Sequence, residues 1–125
     1  MKSILLCVLV AAALALTAVA ADISGKWSGS FTPENGGGGS AYVILKQNGT
    51  TLTGSGGPDA SEQWPGLQGT INGNKVSFQV RSATDGTLYK CDLTLDGDHL
   101  KGDVTFTSAD GQSGKAKLDL ARSAQ

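Results

Sequence analysis

Three short turn signals recur at a fixed interval along this chain. Asn48-Gly49, Asn72-Gly73 and Asp96-Gly97 each lie between alternating apolar residues, and successive glycines are 24 positions apart. Asn-Gly and Asp-Gly favour two-residue hairpin turns, because both central residues of a type I′ turn need positive φ. No sustained helical period follows the first 20 residues. The spacing therefore predicts one β-hairpin for every 24 residues.

Residue parity across these turns predicts which residues lie opposite one another. If each dipeptide forms the two turn residues, apolar side chains share one face of each hairpin, as in the pairs Leu45–Leu52, Leu67–Phe78, Leu93–Leu100 and Tyr89–Val104. The other face of the third hairpin sets Asp92 opposite Lys101 and Lys90 opposite Asp103. Facing opposite charges contribute about 0.2–1 kcal/mol each. A one-residue slip would expose the apolar set, so the inward face is well specified.

Two longer loops complete the meander. A four-residue loop at 83–86 sets Val80 opposite Tyr89, and a three-residue loop at 109–111 sets Val104 opposite Ala116. In a three-residue hairpin loop the left-handed position suits a glycine, here Gly111. The predicted strands are 26–32, 41–47, 50–56, 66–71, 74–82, 87–95, 98–107 and 112–121.

These strands predict an all-β fold, an eight-stranded antiparallel up-and-down β-barrel. Every strand neighbours the next one, and closure removes both sheet edges. Inward glycines permit the sharp coiling that closure requires, and the candidates are Gly29, Gly54, Gly69 and Gly102. Eight strands leave room for a filled core or for one small ligand. A two-sheet sandwich built from the same meander is the alternative.

The first 20 residues resemble a secretory signal peptide. Lys2 precedes an apolar run from Ile4 to Leu16, and Ala18-Val19-Ala20 forms a small-residue cleavage site. The alternative is an uncleaved membrane anchor. Cleavage leaves 21–125 as a single domain that is secreted or periplasmic, with no membrane partner. Without Lys2, nine basic residues face eleven acidic ones, and the absence of a basic stripe argues against a nucleic-acid partner.

Cys91 is the single cysteine after the signal peptide, so the domain has no intrachain disulfide. A small domain without a disulfide depends on a well-packed core for its stability. We expect Cys91 to be a buried, inert thiol that points inward; a reactive thiol is the alternative.

The two ends of the predicted barrel differ. The three tight turns share one end, and the longer connections 33–40, 57–65, 83–86 and 109–111 share the other, which we call the mouth. Function usually lies on loops held by a rigid scaffold. Trp64 is the large aromatic residue placed outside the predicted strands, within the second of these loops, where it either caps the core or anchors a ligand.

Gly25-Lys26-Trp27 resembles the G-x-W motif of lipocalins and avidins, and Leu52-Thr53-Gly54 is similar to the second hairpin of avidins. The nearest resemblance is to small secreted bacterial β-barrel domains of uncharacterised function. The resemblance to lipocalins implies that Trp27 plugs the closed end and that Arg122 packs over it. The avidins' several biotin-stacking tryptophans are missing, so biotin binding is not implied.

Chemistry-bearing constellations are scarce. His99 follows the turn at 96–97 on the outer face beside Thr94, too isolated for a catalytic triad. Asp59 and Glu62 are a candidate acid–base pair in the mouth, although loop acids are usually solvated. A zinc site needs several His or Cys ligands, and the sequence has too few of them. We therefore expect no enzyme activity, no cofactor and no metal.

Two functions remain. The first is a non-enzymatic binding module that takes a small apolar or amphipathic ligand at the mouth, with candidate contacts Phe31, Trp64, Val80, Tyr89 and Phe106. The second is a solid-core accessory domain that contacts a protein or a glycan through Trp64 and the mouth loops.

Overall fold

Alternation between inward and outward side chains determines this fold, and it is clearest in β5. Lys75–Arg81 alternates exposed and buried residues at each position, which is the period of a strand with one face on a core. The computed structural model describes residues 22–123. The signal peptide predicted over 1–20 lies outside the described residues. Between residues 22 and 123, no helix is long and apolar enough to span a membrane.

Eight antiparallel strands form a closed barrel in which β1 pairs with β8 and every other strand pairs with its sequence neighbours. The fold class predicted from the sequence is confirmed. The strands are β1 Gly25–Pro33, β2 Gly39–Asn48, β3 Thr51–Gly57, β4 Trp64–Asn72, β5 Lys75–Arg81, β6 Leu88–Asp96, β7 His99–Thr107 and β8 Ser113–Arg122. Each boundary lies within two residues of its prediction.

The three tight turns lie one residue later than predicted. Their turn residues are Gly49-Thr50, Gly73-Asn74 and Gly97-Asp98. The three glycines have φ values of 65°, 63° and 62°, and no other residue type in the described chain has positive φ. Positive φ at the first turn residue alone is typical of type II′ turns. The Asn or Asp before each glycine is consequently the last residue of its strand.

This displacement moves each predicted facing pair by two residues. Leu45 lies opposite Gly54 rather than Leu52, and Leu100 lies opposite Leu95 rather than Leu93. The prediction for Leu67 and Phe78 was wrong in the same way, because Phe78 lies opposite Gly69. A shift of two keeps every side chain on its predicted face, since strand side chains alternate with a period of two.

The predicted charge pairs of the third hairpin were wrong for the same reason. Asp92 lies opposite Asp103, while Lys90 and Lys101 lie opposite Thr105 and Thr94; Tyr89 faces Phe106 rather than Val104. Asp103 instead pairs with Lys117 of β8, which faces it. The Asp92 carboxylate accepts a hydrogen bond from Ser77 Oγ at 2.9 Å. The pairings across the longer loops, Val80–Tyr89 and Val104–Ala116, are confirmed.

Four inward glycines allow neighbouring strands to come together closely. A Cβ atom added at any of them would lie 1.8–2.1 Å from a backbone oxygen of an adjacent strand, too close for any side chain; they are Gly29, Gly54, Gly69 and Gly102. Closure with strong coiling depends on such positions. All four are those that the sequence predicted.

The closed end of the barrel is filled by Trp27 and Ile23, both completely buried. The Trp27 Nε1–H donates a hydrogen bond to Ile23 O at 2.9 Å. The Arg122 guanidinium lies over the Trp27 ring, with Cζ 4.5 Å from the ring centroid. Its Nη1 and Nη2 donate to Ser24 O at 3.1 Å and Asp22 O at 3.3 Å. These hydrogen bonds hold the segment before β1 across the closed end of the barrel.

Candidate ligand cavity at the barrel mouth

Four aromatic side chains gather inside the mouth, where strand parity turns them inward. Tyr89 and Trp64 stack with their rings 5.8 Å apart and nearly parallel, at 8°. Phe31 meets Tyr89 edge to face at 5.9 Å, and Phe106 lies 6.1 Å from both. All four are partly buried. The structure therefore brings together four of the five residues predicted for ligand contact, and Val80 lies opposite Tyr89.

Beneath this cluster the barrel is not completely filled. A cavity of about 140 Å³ lies between the aromatic residues and the core. Its lining contains no charged side chain. The lining residues are Phe31, Ser40, Ala41, Val43, Gly56, Gly57, Pro58, Trp64, Phe78, Val80, Tyr89, Cys91, Val104 and Leu118. Four predicted contacts are among them. Phe106 is not, although its ring touches Phe31 and Tyr89.

Trp64 begins β4 rather than lying in the preceding loop, which corrects its predicted position. A bulge makes this possible: Leu67 lies opposite Gly54, but Pro65 already lies opposite Ser55, so Gly66 has no partner on β3. Gly66 has a φ of 86°, which suits glycine. The extra residue restores the parity that turns Trp64 inward, opposite Gly56.

The indole nitrogen of Trp64 is unusual in this barrel. Its Nε1 is shielded from solvent and has no hydrogen-bond partner in the described residues. Buried polar atoms are nearly always hydrogen-bonded in proteins, because an unmet donor has lost its water without replacement. Trp27 shows the ordinary situation, since its Nε1–H donates to a backbone carbonyl.

Burial changes the acid–base behaviour of the two ionisable groups in the cavity wall. The pKa of the Tyr89 phenol is raised, first by burial and then by the nearby Asp85 carboxylate. The Cys91 thiol lies two residues further into the barrel, and burial, assisted by Asp92, raises its pKa to about 12. Cys91 is free and buried, as expected from the sequence. At neutral pH both groups are uncharged, so the cavity is electrically neutral.

The mouth loops are tied to one another by hydrogen bonds. Ser40 Oγ donates to Pro58 O at 2.6 Å, and Thr84 Oγ1 donates to the Glu62 carboxylate at 2.9 Å. Gln63 Nε2 donates to Tyr42 O at 2.9 Å, while its Oε1 accepts from Ser55 Oγ at 2.7 Å. These contacts connect four strand ends around the cavity.

Asp59 and Glu62 are not arranged as an acid–base pair. Asp59 Oδ1 accepts hydrogen bonds from Ser61 N, Ser61 Oγ and Glu62 N, which orders the loop and lowers the pKa of Asp59. The Glu62 carboxylate accepts a hydrogen bond from Thr84 Oγ1. Neither residue lines the cavity. Both carboxylates therefore serve the loop structure.

His99 lies at the closed end, on the outside of the barrel. It is opposite Asp96 rather than Thr94, and its Nδ1 is 3.9 Å from an Asp119 carboxylate oxygen in an exposed pair. In the described range, 22–123, no three His, Cys, Asp or Glu residues are grouped as metal ligands.

Two structural residues were not identified from the sequence. Ile23 lies before the first predicted strand, yet it is completely buried under Trp27. Gln63 lies in a predicted loop, but it joins β2, β3 and the loop itself. An apolar residue four positions before Trp27 was the available signal for Ile23. For Gln63 the sequence carries no comparable signal.

Comparison with protein-family models gives no match, and comparison with curated proteins gives none either. Among solved structures, a de novo designed fluorescence-activating β-barrel is similar to this chain, with a TM-score of 0.56 and 18% sequence identity. The alignment covers 81% of this chain and 94% of the designed chain. At this level of identity the similarity shows a small eight-stranded β-barrel fold.

Proposed function

We propose that this protein is a non-enzymatic, lipocalin-like binding module, secreted or periplasmic, that holds one small apolar or amphipathic ligand at the barrel mouth. The observation that carries the proposal is the cavity lined by Phe31, Trp64 and Tyr89 in a barrel whose closed end is filled. An apolar concavity with a few polar atoms on a rigid scaffold is a common form of ligand site. The secreted location rests on the signal peptide predicted over 1–20.

The volume of the cavity limits the size of the ligand. A dry engineered cavity of about 150 Å³ binds benzene or xenon, whereas pockets for drug-sized ligands measure about 300–1,000 Å³. The cavity here measures about 140 Å³. The enclosed space therefore suits a single ring or a short chain.

The position of Trp64 favours a ligand over a macromolecular partner. In the alternative function, Trp64 would contact a protein or a glycan from a mouth loop. Its ring instead stacks on Tyr89 and lines the cavity. An anchor residue for an external partner would present this ring outward. We therefore assign Trp64 to the ligand site.

Benzene is expected to stabilise the protein against heat. A ligand that binds only the folded state adds about 1.4 kcal/mol when its free concentration is about ten times Kd. Gly56→Val should remove this effect, because Gly56 lines the cavity and its added Cβ would lie at ordinary contact distance, 3.5 and 3.8 Å, from the lining residues Val80 and Val43. Differential scanning calorimetry with and without benzene measures both results.

Gly39→Val is the matched control. Gly39 lies on β2 near the mouth, its Cβ would have no atom within 4 Å, and it does not line the cavity. Wild type and Gly39→Val should gain the same melting temperature from benzene. Equal gains in all three proteins would place the site elsewhere, and no gain in any would contradict the proposed function. Backbone amide shifts around Phe31 and Tyr89 in the wild type test the location without any variant.

A further inference from the structure

The loops around the mouth are acidic, whereas the cavity behind them is apolar. We propose that the ligand of this site is a small amphipathic cation, such as an arylalkyl ammonium ion, whose apolar part fills the cavity and whose charged head stays at the mouth. The inference rests on the proposed function. It adds to the position of the site the sign of the charge that the ligand carries.

The excess negative charge of the described chain lies at the mouth. The four connections there, 34–38, 58–63, 82–87 and 108–112, contain no basic residue, and their acids are all exposed: Glu34, Asp59, Glu62, Asp85 and Asp110. Counted to the third residue of each adjoining strand, this end also holds the cations Arg81, Lys90 and Lys115, so its net charge is −2. The rest of residues 22–123 has six basic and six acidic residues.

Two of these carboxylates belong to a loop that forms part of the cavity wall. Asp59 directly follows the lining residue Pro58. The Glu62 backbone lies against the lining residue Gly57, where an added Cβ would be 2.0 Å from Glu62 O. The Glu62 carboxylate accepts a hydrogen bond from Thr84 Oγ1 at 2.9 Å, which brings its charge to the neighbouring loop.

A third carboxylate, that of Asp85, acts on the cavity wall from this neighbouring loop. Burial raises the pKa of the Tyr89 phenol, and the Asp85 carboxylate raises it further. The negative charge of Asp85 is therefore felt at a residue that lines the cavity. An ammonium group near Tyr89 would be stabilised by the same charge, and a carboxylate would be repelled.

The aromatic wall favours the same sign of charge. Aromatic ring faces carry partial negative charge and attract cations, and Phe31, Trp64 and Tyr89 line the cavity. The lining offers no Lys, Arg or His to an anion. Because the carboxylates of the mouth are exposed, a cationic head can interact with them and keep much of its water, which avoids the cost of burying a charge.

Benzylammonium, benzyl alcohol and phenylacetate form a matched set of probes, because they share the benzyl group and differ in the charge of the head. Each would be titrated into the wild type by calorimetry at neutral pH, at low ionic strength and in about 1 M salt. We expect benzylammonium to bind about tenfold more tightly than phenylacetate at low ionic strength, with benzyl alcohol between them. In about 1 M salt this preference should fall below about threefold, because exposed charges are then screened.

Amide substitutions remove the charges and keep the hydrogen-bond acceptors of the loops. The mouth variant combines Asp59→Asn, Glu62→Gln and Asp85→Asn. The control variant removes the same charge from the closed end and combines Asp96→Asn, Asp98→Asn and Asp119→Asn. At low ionic strength the mouth variant should lose at least about threefold of the preference for the cation, and the control should retain the wild-type preference.

The outcomes separate this inference from the proposed function. If benzyl alcohol binds but phenylacetate binds as tightly as benzylammonium at low ionic strength, the ligand is not a cation and the cavity remains a ligand site. Equal losses of preference in the two variants would trace it to the net charge of the whole protein and would also overturn the inference. If benzene stabilises the protein and none of the three probes binds, the site takes apolar ligands alone. If benzene fails too, the proposed function fails and this inference fails with it.

Discussion

Trp27→Ala is expected to lower the free energy of unfolding by about 3–5 kcal/mol, the usual cost of truncating a buried large aromatic residue. Trp27 is completely buried at the closed end, and its loss would also leave Ile23 O without its donor. Arg122 would lose the ring face over which its guanidinium lies. Small domains have about 5–15 kcal/mol of stability in total, so this loss would be a large part of it. Urea denaturation followed by circular dichroism measures the change.

Trp64→Ala is the natural control, because it removes the same side chain from the opposite end. Trp64 is only partly buried and makes no hydrogen bond through Nε1 among the described residues. Its truncation should therefore cost clearly less than that of Trp27. Equal losses at the two positions would contradict the distinction between a filled base and an open mouth. A denaturation midpoint unchanged by Trp27→Ala would mean that the base is not packed around this residue.

Alkaline pH is expected to destabilise the barrel through Cys91. Burial raises the pKa of this thiol from 9.0 to about 12 in the folded state. The unfolded chain therefore releases the thiol proton at lower pH than the folded protein. The stabilising contribution is complete below pH 9 and is lost as the pH rises from 9 to about 12, and the full difference corresponds to roughly 4 kcal/mol. Urea denaturation at several pH values across this window measures the slope.

Cys91→Ala separates the thiol from other alkaline effects. The raised pKa of Tyr89 acts in the same direction above its ordinary value of 10.0, so some loss of stability should persist in the variant. The variant should nevertheless lose less stability between neutral pH and pH 11 than the wild type does. Parallel pH profiles in the two proteins would show that the thiol ionises as readily in the folded state as in the unfolded chain.

The sequence determined the inward face of this barrel better than its strand register. Alternation in strands such as β5 identifies a face because every second side chain must leave water. The register depends on which residue begins each turn. An Asn-Gly dipeptide can supply both turn residues, or its glycine alone can be the first of them. The chain uses glycine first, with positive φ at Gly49, Gly73 and Gly97. Every facing pair across these turns moved by two, while every face stayed as predicted.

The candidate site was predictable to the extent that it follows from parity and strand direction. Phe31, Tyr89 and Phe106 point inward near strand ends that share one end of the barrel, so their meeting needed no other information. Trp64 depended on a bulge at Gly66 that alternation does not reveal. The cavity and the unmet indole donor depend on how side chains of several strands fill one volume, which no single segment encodes.

The β1–β8 pairing has a consequence for how the chain folds. Every other strand pair joins neighbours in sequence, but this one joins Trp27 to Arg122, and Arg122 Nη1 reaches Ser24 O across 98 positions. The entropic cost of bringing two segments together grows with the length of chain between them. We therefore expect the hairpins to form early from local contacts and this seam to close late. Weakening the seam should slow refolding more than an equal loss of stability within a hairpin, because topologically distant contacts limit folding rates.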